Sequence, residues 1–280
     1  MSTRDAVLIS PEQLMNAATP PPAILDVRWR LDRPDGYGAF LAGHIPGAVY
    51  VSLEDELSDH TRPGLGRHPL PTAAVLRAAA RRWGLRRGQP VVVYDDWNRA
   101  GSARAWWVLT AAGIDDVRIL DGGLAAWLNA GGEVVSGPVE PPVGDVDIVH
   151  EDLYRGGRPV LTADGIRGKE VSALLDARAP ERFRGDVEPV DPVAGHIPGA
   201  RNLPSTSLLG PDGRFLPDER LAALIGATGH APGVYCGSGV TAAVVLAALN
   251  AVGVDGALFP GSWSQWSGEG RPVERGGGHS

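Results

Sequence analysis

The sequence predicts an α/β protein made of tandem copies of one domain, each a mainly parallel sheet flanked by helices. Three observations carry this. The hexapeptide Gly43-His44-Ile45-Pro46-Gly47-Ala48 recurs unchanged as Gly195-His196-Ile197-Pro198-Gly199-Ala200, and six identical residues that include His, Pro and two Gly are no chance match. The order of features around it repeats as well: Ile24-Leu25-Asp26-Val27-Arg28 matches Leu174-Leu175-Asp176-Ala177-Arg178, and Val92-Val93-Tyr94 matches Gly233-Val234-Tyr235. Asp121-Gly122-Gly123 followed by Trp127 likewise matches Pro260-Gly261-Ser262 followed by Trp266. Finally, short apolar runs alternate with helical stretches, the pattern of a parallel sheet with helices on its faces.

In the first copy, Ile24 to Val27 reads as a strand, Pro71 to Arg82 as a helix and Val91 to Tyr94 as a strand. Ala100 to Ala112 follows as a helix and Val117 to Leu120 as a strand. The Pro- and Gly-rich stretch from Gly137 to Gly144 breaks the pattern. The expected organisation is an N-terminal domain over 1–138, a linker over 139–149 and a C-terminal domain over 150–280. In the second copy, Gly233-Val234-Tyr235 ends a buried strand, and Val240 to Ala251 is an Ala- and Leu-rich helix closed by Gly253.

Cys236 is the only cysteine, and it heads the loop Cys236-Gly237-Ser238-Gly239-Val240-Thr241 between that strand and that helix. Strand carboxyl ends are where parallel α/β folds place their chemistry, and a cleft between domains is a usual small-molecule site. Backbone N–H groups near a helix N-terminus favour an anion, here a thiolate. Gly237 and Gly239 let successive N–H groups curl toward the sulfur. A lone cysteine on its own behaves more often as a small buried hydrophobe; the loop turns the reading toward a nucleophile.

Several chemistries are excluded. A cysteine phosphatase needs an arginine six residues after the cysteine to clamp phosphate, but that position is Ala242, and Tyr235 precedes the cysteine where such an enzyme has His. Dithiol redox chemistry and thiolate metal clusters need further cysteines. Lys169 is the single lysine, so a Schiff base is not expected. A net charge of −7 and a pI near 5.5 argue against nucleic acid as a partner, with the Arg77 to Arg87 stretch read as a solvated helix face and turn. No apolar run reaches membrane-spanning length and the N-terminus has no apolar leader core, so no membrane partner is expected. One cysteine allows no internal disulfide, and a cytoplasmic setting fits. The repeat sets Asp95 opposite Cys236, so only the second copy carries a thiol.

The repeated GHIPGA, the DVR and DAR strand ends, the segments DGGLAAW and PGSWSQW and the loop CGSGVT together resemble the two-domain rhodanese-type sulfurtransferases, over nearly the whole chain. The resemblance implies tandem rhodanese-like domains, the N-terminal one inactive and the C-terminal one catalytic through Cys236. It implies ping-pong chemistry: the thiolate takes a sulfane-type sulfur from a small anionic donor as a persulfide. A thiol acceptor such as thioredoxin or a low-molecular-weight thiol, or cyanide, then removes it. Gly237, Gly239, Val240 and Thr241 would cradle the bound anion, and no metal or organic cofactor is implied.

The loop is similar to that of the 3-mercaptopyruvate branch, whereas thiosulfate-preferring members tend to carry Arg and Lys where Gly237 and Ser238 stand. In the mercaptopyruvate branch, Ser238 would work with an Asp and a His, best matched by Asp55 and His68, with Asp59 and His60 as rivals. Arg182 matches one of two arginines that bind the donor carboxylate. The second would follow Glu188-Pro189, where this chain has Val190; Arg184 and Arg201 are the candidates to replace it. The expected donor is 3-mercaptopyruvate, with thiosulfate as the alternative. A non-catalytic module that binds a partner or senses oxidation at Cys236 is the reading from another class. His44 and His196, being repeated, are expected to brace turns, and the tryptophans to fill cores, Trp97 excepted.

Overall fold

The β-branched run Val91–Tyr94 forms a central strand, and the Ala-rich runs Ala100–Ala111 and Ala242–Ala251 form the most enclosed helices. The computed structural model describes residues 2–18, 20–168, 170–228 and 231–277; Lys169 lies outside them. The chain divides into an N-terminal unit of Met1–Asp59, Leu70–Arg158 and Leu209–Phe215 and a C-terminal unit of His60–Pro69, Pro159–Leu208 and Leu216–Ser280. The second of these therefore recruits a ten-residue piece from the first half of the sequence, and the first takes a short hairpin from the second half.

In the N-terminal unit, strands β1 (Leu8–Ile9), β2 (Ala23–Asp26), β3 (Ala48–Tyr50), β4 (Val91–Tyr94) and β5 (Val117–Leu120) form a parallel sheet of order β1-β5-β4-β2-β3. Its helices are α1 (Pro11–Met15), α2 (Tyr37–Ala42), α3 (Leu53–Glu56), α4 (Ala73–Arg82), α5 (Ala100–Ala111) and α6 (Gly123–Asn129). In the C-terminal unit, β6 (Leu174–Asp176), β7 (Arg201–Asn202), β8 (Gly233–Tyr235) and β9 (Ala257–Leu258) form a parallel sheet of order β7-β6-β8-β9. The helices there are α7 (Ala163–Arg167), α8 (Pro180–Arg184), α9 (Asp218–Ile225), α10 (Ala242–Ala251) and α11 (Ser262–Gly268). Val160 bridges Leu258 in parallel, in the place β1 holds beside β5, so the two strand orders coincide.

Burial explains the composition of the central elements. All four residues of β4 and all three of β8 are buried, as expected when helices cover both faces of a parallel sheet. Every residue of α5 except Thr110, and every residue of α10 except Asn250, is buried. Helices so enclosed have no polar face to present, and their alanines allow close approach to the sheet. The expected boundaries shift slightly at three starts, the strand expected from Ile24 to Val27 running over Ala23–Asp26. The Thr72 hydroxyl accepts from the Val75 N–H, so the helix expected from Pro71 starts at Ala73. Val240 and Thr241 remain in the cysteine loop, so α10 starts at Ala242.

The repeated hexapeptide does the same work in both units. His44 and His196 are fully buried. Their Nδ1 atoms lie 2.9 Å from the Phe40 carbonyl and 2.8 Å from that of Phe183, and each ring stacks on the same phenylalanine at 3.9 and 3.8 Å. The Ile45 and Ile197 N–H groups each donate at 3.1 Å to the hydroxyls of Tyr94 and Tyr235, the last residues of β4 and β8. Arg28 pairs with Asp26 at 2.9 Å and donates to the Gly43 carbonyl; Arg178 pairs with Asp176 at 2.7 Å and donates to the Gly195 carbonyl. The histidines brace turns, as the repeat predicts. In each unit this frame fixes the strand end from which the next loop departs. Among the described residues, no helix is long and apolar enough to cross a membrane.

Candidate active site

β8 ends at Tyr235, and the chain turns through Cys236 to Thr241 before α10 begins. Cys236 is a free thiol and only 2% exposed. The Gly239 N–H donates to its Sγ at 3.1 Å, the contact that a sulfur anion needs. Gly239 sits at φ +79°, and a Cβ there would collide with the Pro260 carbonyl, so only glycine can deliver that N–H.

The start of α11 holds the loop from the other side. The Trp263 N–H donates to the Cys236 carbonyl at 3.0 Å, and the Ser264 N–H to the Gly237 carbonyl at 2.9 Å. The Cys236 N–H donates to Ser262 Oγ at 3.1 Å, and that hydroxyl in turn donates to the Phe259 carbonyl at 2.9 Å. Ser262 is fully buried at φ +52°, a left-handed conformation that costs a serine about 1 kcal/mol or more. Its counterpart Gly123 has φ +56°, and Leu124 donates to the Asp95 carbonyl as Trp263 does to that of Cys236.

The segment 60–69 brings side chains to the same loop. His68, 5% exposed, has Nδ1 2.7 Å from Ser238 Oγ, itself buried. The ring of His60 meets that of His68 edge-on at 5.8 Å. The Arg67 N–H donates to Ser264 Oγ at 3.1 Å, which ties this segment to α11. Asp55 lies in the N-terminal unit, exposed in α3, where its carboxylate accepts from the Ser52 hydroxyl at 2.7 Å as part of a helix cap.

Two guanidinium groups stand over Gly237. From the position a Cβ would take there, Arg67 Nη2 is 3.2 Å away and Arg182 Nη1 3.5 Å. Both arginines are held by carboxylates. Arg67 Nη1 is paired with Asp191 Oδ1, and Arg182 Nη2 lies 2.6 Å from Glu188 Oε1 and 3.5 Å from Asp191 Oδ2. Burial alone would raise the Glu188 carboxyl, but the bond from Arg182 and the N–H groups of Asp191 and Val190 outweigh it and hold it below the usual carboxylate range. At Asp191 burial wins over the pull of Arg67, and its carboxyl is held above the usual range.

The structure thus gathers His68 and Arg182 around the loop of Cys236, Gly237, Ser238 and Gly239, with Val240 buried and Thr241 half-buried as the chain passes into α10. Neither expected replacement for an arginine at 190 joins them. Arg184 pairs with Asp186 at 2.7 Å on the surface, and Arg201 donates to the carbonyls of Leu224 and Ile225. Sequence reasoning missed Arg67, Asp191 and Ser262. Ser262 left one signal, because it stands opposite Gly123 in the repeat. Arg67 left another as the neighbour of His68.

A rhodanese-like domain family model matches residues 10–130 and 161–269. The chain is 62% identical to "Putative thiosulfate sulfurtransferase SseB" of Mycobacterium tuberculosis, over 99% of both chains. It is 45% identical to "Probable 3-mercaptopyruvate sulfurtransferase" of Pseudomonas aeruginosa, over 93% of this chain and 95% of that one. The crystal structure of SseA from Escherichia coli, a 3-mercaptopyruvate enzyme by its description, superposes with a TM-score of 0.78 at 34% identity, covering 92% of this chain and 98% of that one. The chain belongs to the rhodanese family, with two rhodanese domains. It is a sulfurtransferase of the thiosulfate or 3-mercaptopyruvate type.

Proposed function

We propose that Cys236 is the sulfur-carrying nucleophile and that the donor is 3-mercaptopyruvate. The observation that carries the donor is the 2.7 Å contact between His68 and Ser238 on a loop with no cation of its own. The Cys236 thiolate attacks the sulfur of the donor, and the carbon–sulfur bond breaks. Its electron pair passes to carbon as the enolate of pyruvate, and the proton from the donor thiol ends on that carbon. Ser238 and His68 form the relay for this proton, a need that thiosulfate does not have. The Cys236 persulfide remains, stabilised by the Gly239 N–H in the manner of an oxyanion hole.

An acceptor then takes the outer sulfur. Cyanide leaves as thiocyanate and a thiol as its persulfide, RSSH, with the pair of the broken S–S bond returning to Cys236. Acceptors of the thiol class, thioredoxin or a low-molecular-weight thiol, fit a reducing compartment such as the cytoplasm. The acid that the resemblance pairs with this relay, Asp55 or its rival Asp59, belongs in either case to the N-terminal unit.

Thiosulfate is the second reading, favoured by the name of the 62% identical relative. There the S–S bond breaks and sulfite leaves with the pair, so no relay is needed. Intact-mass measurement after incubation with each donor tests both readings. One added sulfur atom is expected on the wild-type chain and none on Cys236→Ser. A kcat/KM ratio favouring 3-mercaptopyruvate, lost in Ser238→Ala, is expected; a ratio favouring thiosulfate would reverse the donor assignment.

A further inference from the structure

The donor pocket of a chain with Val190 lacks one expected cation, yet two guanidinium groups stand over Gly237. We propose that Arg67 is the second donor-binding arginine, with Asp191 as the residue that positions it. This rests on the sulfurtransferase reading of Cys236 and deepens it.

Arg67 presents one edge of its guanidinium to a ligand. Nη1 is committed to Asp191 Oδ1, which leaves the side-on edge made of Nε and Nη2. Nη2 lies over Gly237, and Nε is buried with no hydrogen-bond acceptor among the described residues. A buried donor without an acceptor is costly, and two parallel N–H groups on one guanidinium edge match an oxyanion terminus bidentately. Arg182 is disposed in a complementary way. Its Nε and Nη2 are taken by Glu188 at 3.3 and 2.6 Å, and its Nη1 points over Gly237.

Asp191 joins the two, one oxygen on each arginine, so it sets their spacing. The missing side chain at Gly237 is part of the same device. A lysine or arginine there would set a third cation beside both guanidinium groups, whereas glycine leaves the space above the loop to the donor. The cations come from the segment 60–69 and from α8 instead of from the loop itself. The ligand class is a small sulfur donor ending in a carboxylate or sulfonate, one residue away from Sγ of Cys236.

Steady-state kinetics of Arg67→Ala, Arg67→Lys and Arg184→Ala with 3-mercaptopyruvate and with thiosulfate tests this, alongside sulfur loading by intact mass. Arg67→Ala should raise the donor KM on the order of tenfold or more, since one charge-assisted bidentate contact is lost, with kcat changing far less. Arg67→Lys should recover part of the loss, keeping the charge without the fork. Arg184→Ala should match the wild type. Arg67→Ala that has been loaded with sulfur beforehand should discharge to cyanide at the wild-type rate, because that half-reaction needs no donor. An effect with 3-mercaptopyruvate alone identifies the carboxylate as the bound group, and an effect with thiosulfate alone the sulfonate.

An unchanged KM for both donors in Arg67→Ala, while the wild type loads sulfur, overturns the assignment of Arg67 alone. Equal losses in both half-reactions would overturn it too, by making Arg67 a structural residue. A wild-type chain that loads no sulfur from either donor overturns the sulfurtransferase reading of Cys236 instead, so the two failures are distinct.

Discussion

Ser262 does at the scale of one residue what the sequence repeat cannot do with glycine. The backbone there needs a positive φ, and the N-terminal unit meets the need with Gly123. The C-terminal unit uses serine, and the hydroxyl so gained accepts the N–H of Cys236. Strain of this kind persists where the surroundings over-determine it, and it concentrates at functional sites. Ser262→Gly removes both the strain and the hydroxyl, two changes of about 1 kcal/mol with opposite sign, so its stability should stay close to wild type. Ser262→Ala keeps the strain and loses the bond, and should be less stable than Ser262→Gly by about 1 kcal/mol. Both should load sulfur on Cys236 more slowly than wild type. Denaturant midpoints and single-turnover loading measure this; a Ser262→Gly variant that loads at the wild-type rate would remove Ser262 from the positioning of the nucleophile.

At the scale of elements, α8 and the turn after it form an ion-pair frame. Glu188 bonds Arg182 at 2.6 Å and approaches Arg178 at 3.3 Å, and Arg178 pairs with Asp176 at the end of β6. The Glu188 carboxyl is held below its unfolded value of 4.5, so the stability it contributes is present above that value and is lost as pH falls through the lower, folded one. Glu188→Gln should therefore cost about 1–3 kcal/mol near neutral pH, and the gap to wild type should shrink as the pH is lowered below about 4.5. Urea unfolding at neutral and acid pH reads this directly. A gap of equal size at both would mean that the carboxylate charge contributes nothing. Much of the site was legible at this scale because the loop from Cys236 to Thr241 is local, with strand, loop and helix consecutive in sequence. Arg182 was named only through the family resemblance, as a match to one of its two donor-binding arginines. Arg67, Asp191 and the bracing by α11 were not legible, because each acts through a partner distant in sequence: Arg67 meets Asp191, and Cys236 meets Ser262.

Across the whole molecule, one chain pattern yields two units with the same strand order and different contents at the same loop. The repeat, the parallel sheets and the buried Ala-rich helices could be read from the sequence, since each depends on local pattern. The assignment of segment 60–69 to the C-terminal unit could not, since only tertiary contacts define it. At the position of Cys236 the N-terminal unit has Asp95, and that loop closes on its own anion. Asp95 Oδ1 accepts from the N–H groups of Trp97 and Arg99 and pairs with Arg99 Nη2 at 2.7 Å; Oδ2 accepts from the N–H and hydroxyl of Ser102 at 3.1 and 2.6 Å. Both Asp95 and Arg99 are nearly inaccessible to solvent. The same strand end carries a carboxylate held by backbone N–H groups in one unit and a sulfur that accepts the Gly239 N–H in the other. Asp95→Ala should then destabilise the N-terminal unit by roughly 3–5 kcal/mol, because it strands a buried guanidinium and three backbone donors together. Asp95→Asn, which keeps the shape and some acceptors but not the charge, should fall between Ala and wild type. Denaturant unfolding of the full chain measures both, and a loss below about 1 kcal/mol in Asp95→Ala would show that the Asp95 loop does not depend on an anion.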